Sequence, residues 1–333
     1  MSSSPGRPRE ASALAHSNIA LAKYWGKRDV ANNLPAVGSV SITLAALTTR
    51  TQVRFDESLS ADRLTLNGKS TEDGELVRVT RFLDRIRSLA GIRAFADIRT
   101  ENDFPTAAGL ASSASGFAAL AVAASGAAGL DLSPTDLSAL ARYGSVSAAR
   151  SVFGGFVELN AHEAIEPFAR PLLAAQAWPL EVLVAVTSTA RKPRSSSEAM
   201  AQSAATSPYY DGWLNSSHDD FVGMKQAIVT HDFTRLAELA EHSCLKLHAL
   251  ILSTRPPTLY WNPTTITLIE VVQDLRRKGV PVFFTIDAGP QVKAVFLPGH
   301  ADEVREAIAA VAGVERIIHS QLGEGAHRIE DDK

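Results

Sequence analysis

The spacing of hydrophobic and polar positions changes several times along the chain, and this variation predicts strands interleaved with helices. Residues 39–55 are rich in β-branched side chains and predict a long strand. Apolar residues recur at helical spacing within 72–90 and predict a helix, and 96–100 is typical of another strand. Asn67-Gly68, which lies between these elements, indicates a tight hairpin turn.

A long uncharged stretch follows. Residues 104–130 contain no charged side chain, and 11 of the 22 residues at 107–128 are alanine. Proline, glycine and serines at the front of this stretch predict a loop that leads into a tightly packed, buried helix. Ser133-Pro134 is typical of the start of a further helix, and residues 153–160 predict a strand.

The second half of the chain is also predicted to contain both strands and helices. Residues 181–186 predict a strand, and helical patterns dominate 196–278. Strands are predicted at 280–287 and 292–298, a helix at 300–313 and a last strand at 314–320. We therefore expect an α+β protein with mixed sheets and helices on one face of each sheet.

Composition excludes several classes of protein. The 333 residues are 45% hydrophobic, with a net charge of −3 and a single cysteine, Cys244. One cysteine forms neither an intramolecular disulfide nor a thiolate zinc site. No apolar signal region follows the first ten residues and no apolar run is long enough to span a membrane, so we expect a cytoplasmic protein.

The charge is distributed unevenly. Residues 11–28, 137–157 and 182–197 contain no acid and carry eight positive charges, which leaves −11 on the rest of the chain. Such an asymmetry favours an anionic ligand bound to an otherwise acidic protein. The alternative is three unrelated solvated patches, and we expect Arg28, Arg142 and the charges of the RKPR motif at 191–194 to lie at the ordinary surface.

Small residues at 105–116, PTAAGLASSASG, precede the predicted buried helix. They allow backbone N–H groups to approach a phosphate, which the N-terminus of the helix also attracts. The alternative is close packing of the helix through small side chains. No Walker A motif occurs in the chain.

Three further segments carry cations or serines. Lys23 and Lys27 flank two aromatic residues, an arrangement that suits one wall of a polyanion site or an exposed basic loop. Residues 144–155 supply two serines and Arg150, whose planar guanidinium matches a carboxylate or a phosphate. The serines at 195–197 follow the RKPR motif and bind an anion or cap a helix.

Asp287 ends a predicted strand. An acid in this position either forms a turn with the following Ala-Gly-Pro or acts as a general base or orienting carboxylate. His231, His242 and His248 lack the spacing of metal ligands, and Cys244 is expected to pack within a helix.

Taken together, these segments resemble the diphosphomevalonate decarboxylase family of the GHMP kinase superfamily. The resemblance extends from about residue 11 to residue 297. The matching motifs are KYWGKRD at 23–29, NLPAVGSVSITL at 33–44, NDFPTAAGLASSASGFAAL at 102–120, ARSVFGG at 149–155, LHALILSTRPPTLYWNP at 247–263 and TIDAGP at 285–290.

The resemblance implies a GHMP-kinase fold, with an S5-like ATP-binding N-terminal domain at 11–177, a ferredoxin-like C-terminal domain at 178–325 and the active site in the cleft between them. Residues 1–10 and 326–333 are expected to be tails. The implied reaction is the ATP-dependent decarboxylation of mevalonate 5-diphosphate to isopentenyl diphosphate, ADP, phosphate and carbon dioxide. Magnesium is the implied cofactor and a homodimer the implied assembly, with no nucleic-acid or membrane partner.

The same resemblance assigns the site residues. Asp287, Lys23 and Arg150 are the implied catalytic residues, and magnesium is expected on the ATP phosphates and Ser113. The implied substrate-binding residues are Tyr24, Trp25, Gly26, Lys27, Arg78, Ser145, Val146, Ser147, Ala148, Ala149, Arg150, Ser196 and Ser197. The implied ATP-binding residues are Pro105, Ala107, Ala108, Gly109, Leu110, Ala111, Ser112, Ser113 and Ser115.

Two departures and three alternatives accompany this assignment. Val37-Gly38 replaces the Asn-Ser of many relatives, and Val146 replaces a glycine between paired serines. The alternatives are a relative that acts on mevalonate 5-phosphate, one that only phosphorylates mevalonate, and a nucleic-acid or regulatory binding protein. A kinase needs no device for losing a carboxylate, and a pI near 6.3 disfavours nucleic-acid binding.

Overall fold

A sheet of eight strands supports the N-terminal part of the chain in this computed structural model, which describes residues 9–71, 74–105, 109–162, 167–190 and 194–330. Its centre is the antiparallel pair β1 (Arg9–Ala22) and β4 (Ser39–Asp56), whose many β-branched residues suit the pleated surface. The order is β14-β1-β4-β7-β5-β6, and β8 and β9 extend it from β4. Only β5 and β7 pair in parallel among these strands.

The remaining strands of this sheet are short. They are β5 (Arg63–Leu66), β6 (Lys69–Thr71), β7 (Phe95–Asn102), β8 (Phe156–Leu159), β9 (Ala169–Leu173) and β14 (His327–Ile329). A separate pair is formed by β2 (Lys27–Asp29) and β3 (Leu34–Pro35).

Four helices cover the first sheet: α1 (Gly74–Ala90), α2 (Ser112–Ala127), α3 (Pro134–Gly144) and α4 (Ala148–Ser151). Helix α2 is buried on almost every side, and its alanines let it approach β1 and β4 closely. Ser133 caps α3, as its position before a proline predicts.

The second sheet has the order β11-β12-β10-β13 and is antiparallel throughout. Its strands are β10 (Glu181–Val186), β11 (Val282–Thr285), β12 (Val292–Phe296) and β13 (Arg316–Gln321). The helices of this part are α5 (Ser196–Thr206), α6 (Tyr210–Val229), α7 (Phe233–Leu252), α8 (Pro263–Arg277) and α9 (Ala301–Ala309).

The two sides of the second sheet belong to different cores, because side chains alternate along each strand. Val182, Val184 and Phe283 pack with β1, β4, α6 and α7, whereas Leu183 and Phe284 pack with α8 and α9. The expectation of a mixed sheet with helices on one face is therefore wrong for this sheet. The α+β class and the predicted elements are otherwise confirmed.

Both chain ends correct the predicted tails. Residues 9 and 10 belong to β1, and β14 pairs with β1, with Ser12 opposite Ile329. Residues 1–8 and 331–333 lie outside the described residues. The domain boundaries stay a prediction. Among the described helices, none combines the length and hydropathy that crossing a bilayer requires.

Arg142 also corrects an expectation, since its side chain is fully buried rather than at the surface. The guanidinium donates to the carbonyl oxygens of Asn32 (2.6 Å), Asn33 (3.2 Å) and Pro167 (3.0 Å). A buried arginine is accommodated only where such acceptors surround it. Arg142 thus joins α3 to the turn between β2 and β3, and it belongs to the structure of the fold.

Candidate active site

A cleft of about 1520 Å³ collects residues from both parts of the chain. Within the described residues, its lining contains eight cations and only three carboxylates. The cations are Lys23, Lys27, Lys69, Arg78, Arg81, Arg85, Arg150 and Arg194, and the carboxylates are Glu75, Glu198 and Asp287. An excess of positive charge in a concave, partly desolvated site attracts a polyanion. The excess of positive charge in three segments of the sequence is therefore matched by an excess of cations in this cleft.

Lys23 and Asp287 form an ion pair in this cleft. Lys23 follows β1 and Asp287 follows β11, and the Lys23 Nζ lies 2.7 Å from the Asp287 Oδ1. The Lys23 side chain is 1% exposed and that of Asp287 is 21% exposed. Two hydrogen bonds hold the ends of these strands close to their neighbours. The Lys23 N–H donates to the Ser243 Oγ (2.9 Å), and the Thr285 Oγ1 donates to the Ala20 carbonyl oxygen (3.2 Å).

A second lysine, absent from the predicted site, flanks the same carboxylate. The Lys293 Nζ lies 3.3 Å from the Asp287 Oδ2 and donates to the Gly109 carbonyl oxygen (3.1 Å). Burial alone raises the pKa of Asp287, but the charges of Lys23 and Lys293 outweigh burial and hold that pKa well below its usual range. The signal in the sequence was a single lysine inside the apolar strand VKAVF.

Buried side chains pack next to the segment that carries Asp287. The Ile286 N–H donates to the Cys244 Sγ (3.2 Å), and the Trp261 Nε1 donates to the His248 Nε2 (3.2 Å). Burial, reinforced by the charge of Lys23, lowers the pKa of His248 to about 3, so its imidazole is neutral. Burial raises the pKa of Cys244 to about 11, which confirms the expectation that this thiol packs within a helix rather than reacts.

Arg150 lies in α4 and reaches the cleft through a buried polar network. Its Nε donates to the Ser41 Oγ (2.9 Å), Nη1 to the Ser39 Oγ (2.6 Å) and Nη2 to the Asn18 Oδ1 (3.2 Å). Burial lowers the pKa of Arg150 to about 10, which keeps it charged at neutral pH. These partners use three of its five N–H donors, so the guanidinium retains donors for an anion. In the sequence, Ser39 and Ser41 were recognisable as the polar positions that alternate with apolar ones in the segment SVSIT, but they were not among the predicted site residues.

The paired serines connect Arg150 to the glycine-rich loop. The Ser145 and Ser147 hydroxyl groups lie 3.1 Å apart, and the Ser145 Oγ is 3.4 Å from the Ser113 Oγ in the first turn of α2. All three residues line the cleft. Hydroxyl groups from the turn between α3 and α4 and from the first turn of α2 therefore face the same space.

The N-terminus of α2 is suited to an anion. Ala111, which precedes the helix, has a φ of +55° and caps the first turn with no side-chain hydrogen bond, and that turn has no acid. Gly109 has a φ of +84°, and a Cβ there would lie 2.8 Å from the Gly289 Cα. Backbone N–H groups and the helix dipole at such a terminus favour a phosphate.

Comparison with known proteins gives the same assignment. Residues 15–167 match the diphosphomevalonate decarboxylase-like N-terminal domain, and 182–328 match the mevalonate 5-diphosphate decarboxylase C-terminal domain. The diphosphomevalonate decarboxylase of Candida albicans is 35% identical over 95% of this chain and 96% of its own. The chain belongs to the diphosphomevalonate decarboxylase family.

Other members of this family extend the comparison. The phosphomevalonate decarboxylase of Haloferax volcanii is 35% identical over 92% of this chain and 94% of its own. The solved mevalonate diphosphate decarboxylase of Enterococcus faecalis is 39% identical, covers 97% of this chain and 99% of its own, and has a TM-score of 0.89. A solved complex of MDDEF with MVAPP, AMPPCP and magnesium has the same identity and coverage and a TM-score of 0.90. The GHMP-kinase fold expected from the sequence is therefore confirmed.

The two aromatic residues of the KYWGKRD motif, Tyr24 and Trp25, have different roles. Tyr24 faces the cleft, and its hydroxyl has no hydrogen-bond partner within the described residues. Trp25 is 2% exposed and is fixed by hydrogen bonds with Ser203 (3.0 Å) and Trp213 (3.0 Å). Gly26 has a φ of +93° and lies against the Tyr210 hydroxyl, so a side chain would not fit there. Trp25 thus anchors the loop that presents Tyr24.

Lys27 and the start of α5 form another wall. The Lys27 Nζ donates to the Ser197 Oγ (3.5 Å), and burial together with the nearby charge of Arg78 lowers the pKa of Lys27. Ser195 caps α5 in a capping box with Glu198, which confirms the capping alternative for that serine. Ser196 and Ser197 line the cleft, whereas residues 191–193 of the RKPR motif lie outside the described residues.

Helix α1 contributes a row of arginines. Arg78 donates to the Gly144 carbonyl oxygen (3.0 Å), and Arg81 and Arg85 follow on the same face at helical spacing. The site prediction missed the latter two, although their spacing from Arg78 was visible in the sequence.

A smaller apolar cavity of about 100 Å³ adjoins the row of arginines. Leu64, Val79 and Phe117 line it, and it shares Arg78 and Ser113 with the cleft.

Several residues that the resemblance assigned to ligands do not line the cleft. Ser115 is fully buried and accepts a hydrogen bond from the Thr49 Oγ1 (2.6 Å), and the Leu110 side chain belongs to the core. Ala148 and Ala149 are fully buried, and Pro105 is also absent from the cleft wall. The predictions for Ala107 and Ala108 lie outside the described residues.

The two departures from the family pattern have local packing partners. Val37 packs with Trp25, and a Cβ on Gly38 would lie 3.0 Å from the Phe221 ring. Val146 lies at the edge of the cleft and packs against Val157.

Proposed function

We propose that this protein decarboxylates mevalonate 5-diphosphate with ATP and yields isopentenyl diphosphate, ADP, phosphate and carbon dioxide. The observation that carries the proposal is the Lys23–Asp287 pair in one cationic cleft with Arg150 and the N-terminus of α2. The reaction brings two polyanions and a carboxylate together, and each anion requires its own cations. The family of the chain and the distribution of charge both support this activity.

The first step is phosphoryl transfer to the tertiary 3-hydroxyl group. Its oxygen attacks the γ-phosphorus of ATP, ADP leaves, and the hydroxyl proton passes by way of the Asp287 carboxylate to solvent. Because two lysines lower the pKa of Asp287, this carboxylate is a weak base whose main contribution is to orient the hydroxyl group. Lys23 faces the cleft and stabilises negative charge on the transferred phosphoryl group.

The second step breaks two bonds. The bond between C3 and the phosphate oxygen breaks with its electron pair on phosphate, and the bond to the carboxylate carbon breaks to form the new C=C bond and carbon dioxide. Arg150 is fixed by three hydrogen bonds, so it holds the substrate carboxylate in one orientation as phosphate leaves. This role distinguishes the proposed reaction from a kinase reaction.

ATP is placed by the same geometry. The uncapped first turn of α2 receives its phosphates, and the adjoining apolar cavity suits the flat base. The hydroxyl of Ser113 is positioned to share a magnesium ion with phosphate oxygens, a hard oxygen donor set that this cation prefers. Magnesium, when bound, screens the charge of the phosphates.

Mevalonate 5-phosphate is the second candidate substrate, because a phosphomevalonate decarboxylase covers nearly the whole chain at similar identity. Several cations line the cleft between Lys27 and Arg85. They favour the diphosphate, because a longer polyanion contacts more of them.

We also propose that the protein is a cytoplasmic homodimer that binds neither nucleic acid nor a membrane. Light scattering of the purified protein tests the dimer.

The deciding experiment supplies ATP, magnesium and, in turn, mevalonate 5-diphosphate, mevalonate 5-phosphate and mevalonate. ADP, phosphate and alkene are measured in the same samples. Equal amounts of all three from the 5-diphosphate, at the highest kcat/KM, are expected. ADP without phosphate or alkene would establish a kinase, and preference for the 5-phosphate would establish the second candidate. No turnover of any of them would refute an enzyme of this class.

A further inference from the structure

Lys293 has contacts that no other lysine in the described residues makes. Its ammonium group lies 3.3 Å from the Asp287 Oδ2 and donates to the Gly109 carbonyl oxygen at 3.1 Å. The residue is fully buried and does not line the cleft, whereas Lys23 does. Lys293 therefore cannot touch a substrate, and any effect on the reaction passes through Asp287 or Gly109.

The carboxylate oxygen beside Lys293 has little other support. The Asp287 Oδ2 is buried and makes no hydrogen bond within the described residues, while the Lys23 ammonium binds the other oxygen. A buried carboxylate oxygen without a hydrogen bond is costly unless a cation lies nearby. The Lys293 ammonium group lies 3.3 Å from it.

The contact with Gly109 joins this carboxylate to the phosphate-binding loop. Gly109 also lies against the backbone of Gly289, two residues beyond Asp287, so closely that a Cβ would not fit. The Ser17 Oγ holds the next carbonyl, that of Leu110, at 2.7 Å. The loop that precedes α2 and the turn that carries Asp287 are thus fastened together at one point.

We infer that Lys293 is a positioning residue for the reaction, because one buried ammonium group holds both the Asp287 carboxylate and the Gly109 end of the phosphate loop. This inference rests on the proposed function. It predicts two effects: Lys293 fixes the position of the Asp287 carboxylate, and it keeps the loop at the distance at which bound ATP meets the hydroxyl that Asp287 orients. Its role differs from that of Lys23, which contacts the substrate.

The test compares the unmodified protein with Lys293→Met and Lys293→Arg. Lys293→Met is expected to lower kcat by about 10²-fold, because a displacement of about 1 Å in a reacting group has that effect. It is also expected to raise the KM for ATP and to weaken binding of a non-hydrolysable ATP analogue with magnesium, measured by calorimetry.

Lys293→Arg keeps the positive charge and is expected to recover part of kcat and part of the affinity for the ATP analogue. The matched control is Lys246→Met, which removes a largely buried lysine paired with Asp220 (2.5 Å) in the same part of the chain, outside the cleft. Its kcat and its affinity for the ATP analogue are expected to match those of the unmodified protein.

Two results would overturn the inference. One is a Lys293→Met variant whose kcat and ATP affinity coincide with those of the unmodified protein. The other is a loss of kcat and of ATP affinity that is as large in Lys293→Arg as in Lys293→Met. If Lys293→Met does not fold, Lys293→Gln is judged by the same criteria. An unmodified protein without turnover would instead refute the proposed function. Failure of the inference about Lys293 is therefore distinguishable from failure of the proposed function.

Discussion

Replacing Asp287 by asparagine removes one negative charge from the centre of the site and changes its shape very little. In the native protein the carboxylate lies 2.7 Å from the Lys23 ammonium and 3.3 Å from that of Lys293. The substitution leaves both cations buried with no counter-charge. It also replaces the anionic acceptor that orients the 3-hydroxyl group by a neutral amide, so it perturbs stability and chemistry together.

The magnitude follows from these distances. At an effective dielectric constant of about 20, the two attractions amount to roughly 6 and 5 kcal/mol before desolvation is considered. Since ions lose much of this gain when they leave water, breaking such a buried pair costs about 3–5 kcal/mol of folding free energy. A positioned acid–base group contributes about 10²–10⁴-fold to rate, equivalent to about 3–5 kcal/mol of activation free energy. We therefore expect Asp287→Asn to lower kcat by at least about 10²-fold with a modest change in the KM of the substrate.

The assay measures initial rates of ADP and alkene release at saturating ATP, with urea unfolding of the same preparations. Asp220→Asn is the matched control, because it also removes a largely buried carboxylate from a lysine, Lys246, but lies outside the cleft. The control is expected to lose stability and keep its kcat. A folded Asp287→Asn variant with kcat within threefold of the unmodified protein would refute the reasoning and leave Asp287 as a turn residue.

Three further outcomes are expected. Arg150→Lys removes the fork that donates to Ser39 and Ser41 and should lower kcat/KM by about 10²-fold, because hydrogen bonds of a charged group contribute about 1.5–3 kcal/mol each. Gly109→Ala should raise the KM for ATP at least tenfold, as its φ of +84° and the adjacent backbone exclude a side chain. Arg142→Met should leave three carbonyl acceptors without this donor, two of them buried, and lower the free energy of unfolding by about 3 kcal/mol or more, with KM values unchanged.

Two of these variants, Gly109→Ala and Arg142→Met, have a matched control in the chain. Gly212→Ala places a side chain in open space within α6 and should leave the KM for ATP unchanged. Arg28→Met removes an exposed arginine and should not alter urea unfolding. An Arg150→Lys variant with unchanged kcat/KM would show that the guanidinium geometry is not required. Equal KM values in Gly109→Ala and Gly212→Ala, or equal stability in Arg142→Met and Arg28→Met, would contradict the respective arguments.

Local patterns predicted the elements of the fold well. Asn67-Gly68 forms the turn between β5 and β6, Ser133 caps α3, and the alanine-rich stretch became the buried helix α2. These predictions depend on interactions within a few residues, where backbone conformation and hydrophobic spacing act directly. The exceptions needed distant partners: β14 is a strand only because β1 provides its hydrogen bonds.

The candidate site shows the same division. Lys23, Arg150 and Asp287 came from motifs, and the structure brings them into one cleft. Lys293 was missed because a lysine in an apolar strand has no meaning until its partner, 3.3 Å away, is known. Ser115 was included because it lies in a serine-rich motif, yet its position on α2 directs it to Thr49 in the core. A motif specifies which residues are present, and the direction of each side chain depends on the element that carries it.

The sequence by itself determined the α+β class, most of the helices and strands, the family and the excess of cations in three acid-free segments. Only the tertiary structure decided which of those cations share a cleft, that Arg142 is internal, and that two lysines flank one carboxylate. The physical reason is that secondary structure follows from short-range steric and hydrophobic patterns, whereas the charge state and orientation of a site depend on burial and on partners distant in sequence. Residues 23, 109 and 287 lie far apart in the chain, and the packing of the two sheets against each other makes them neighbours.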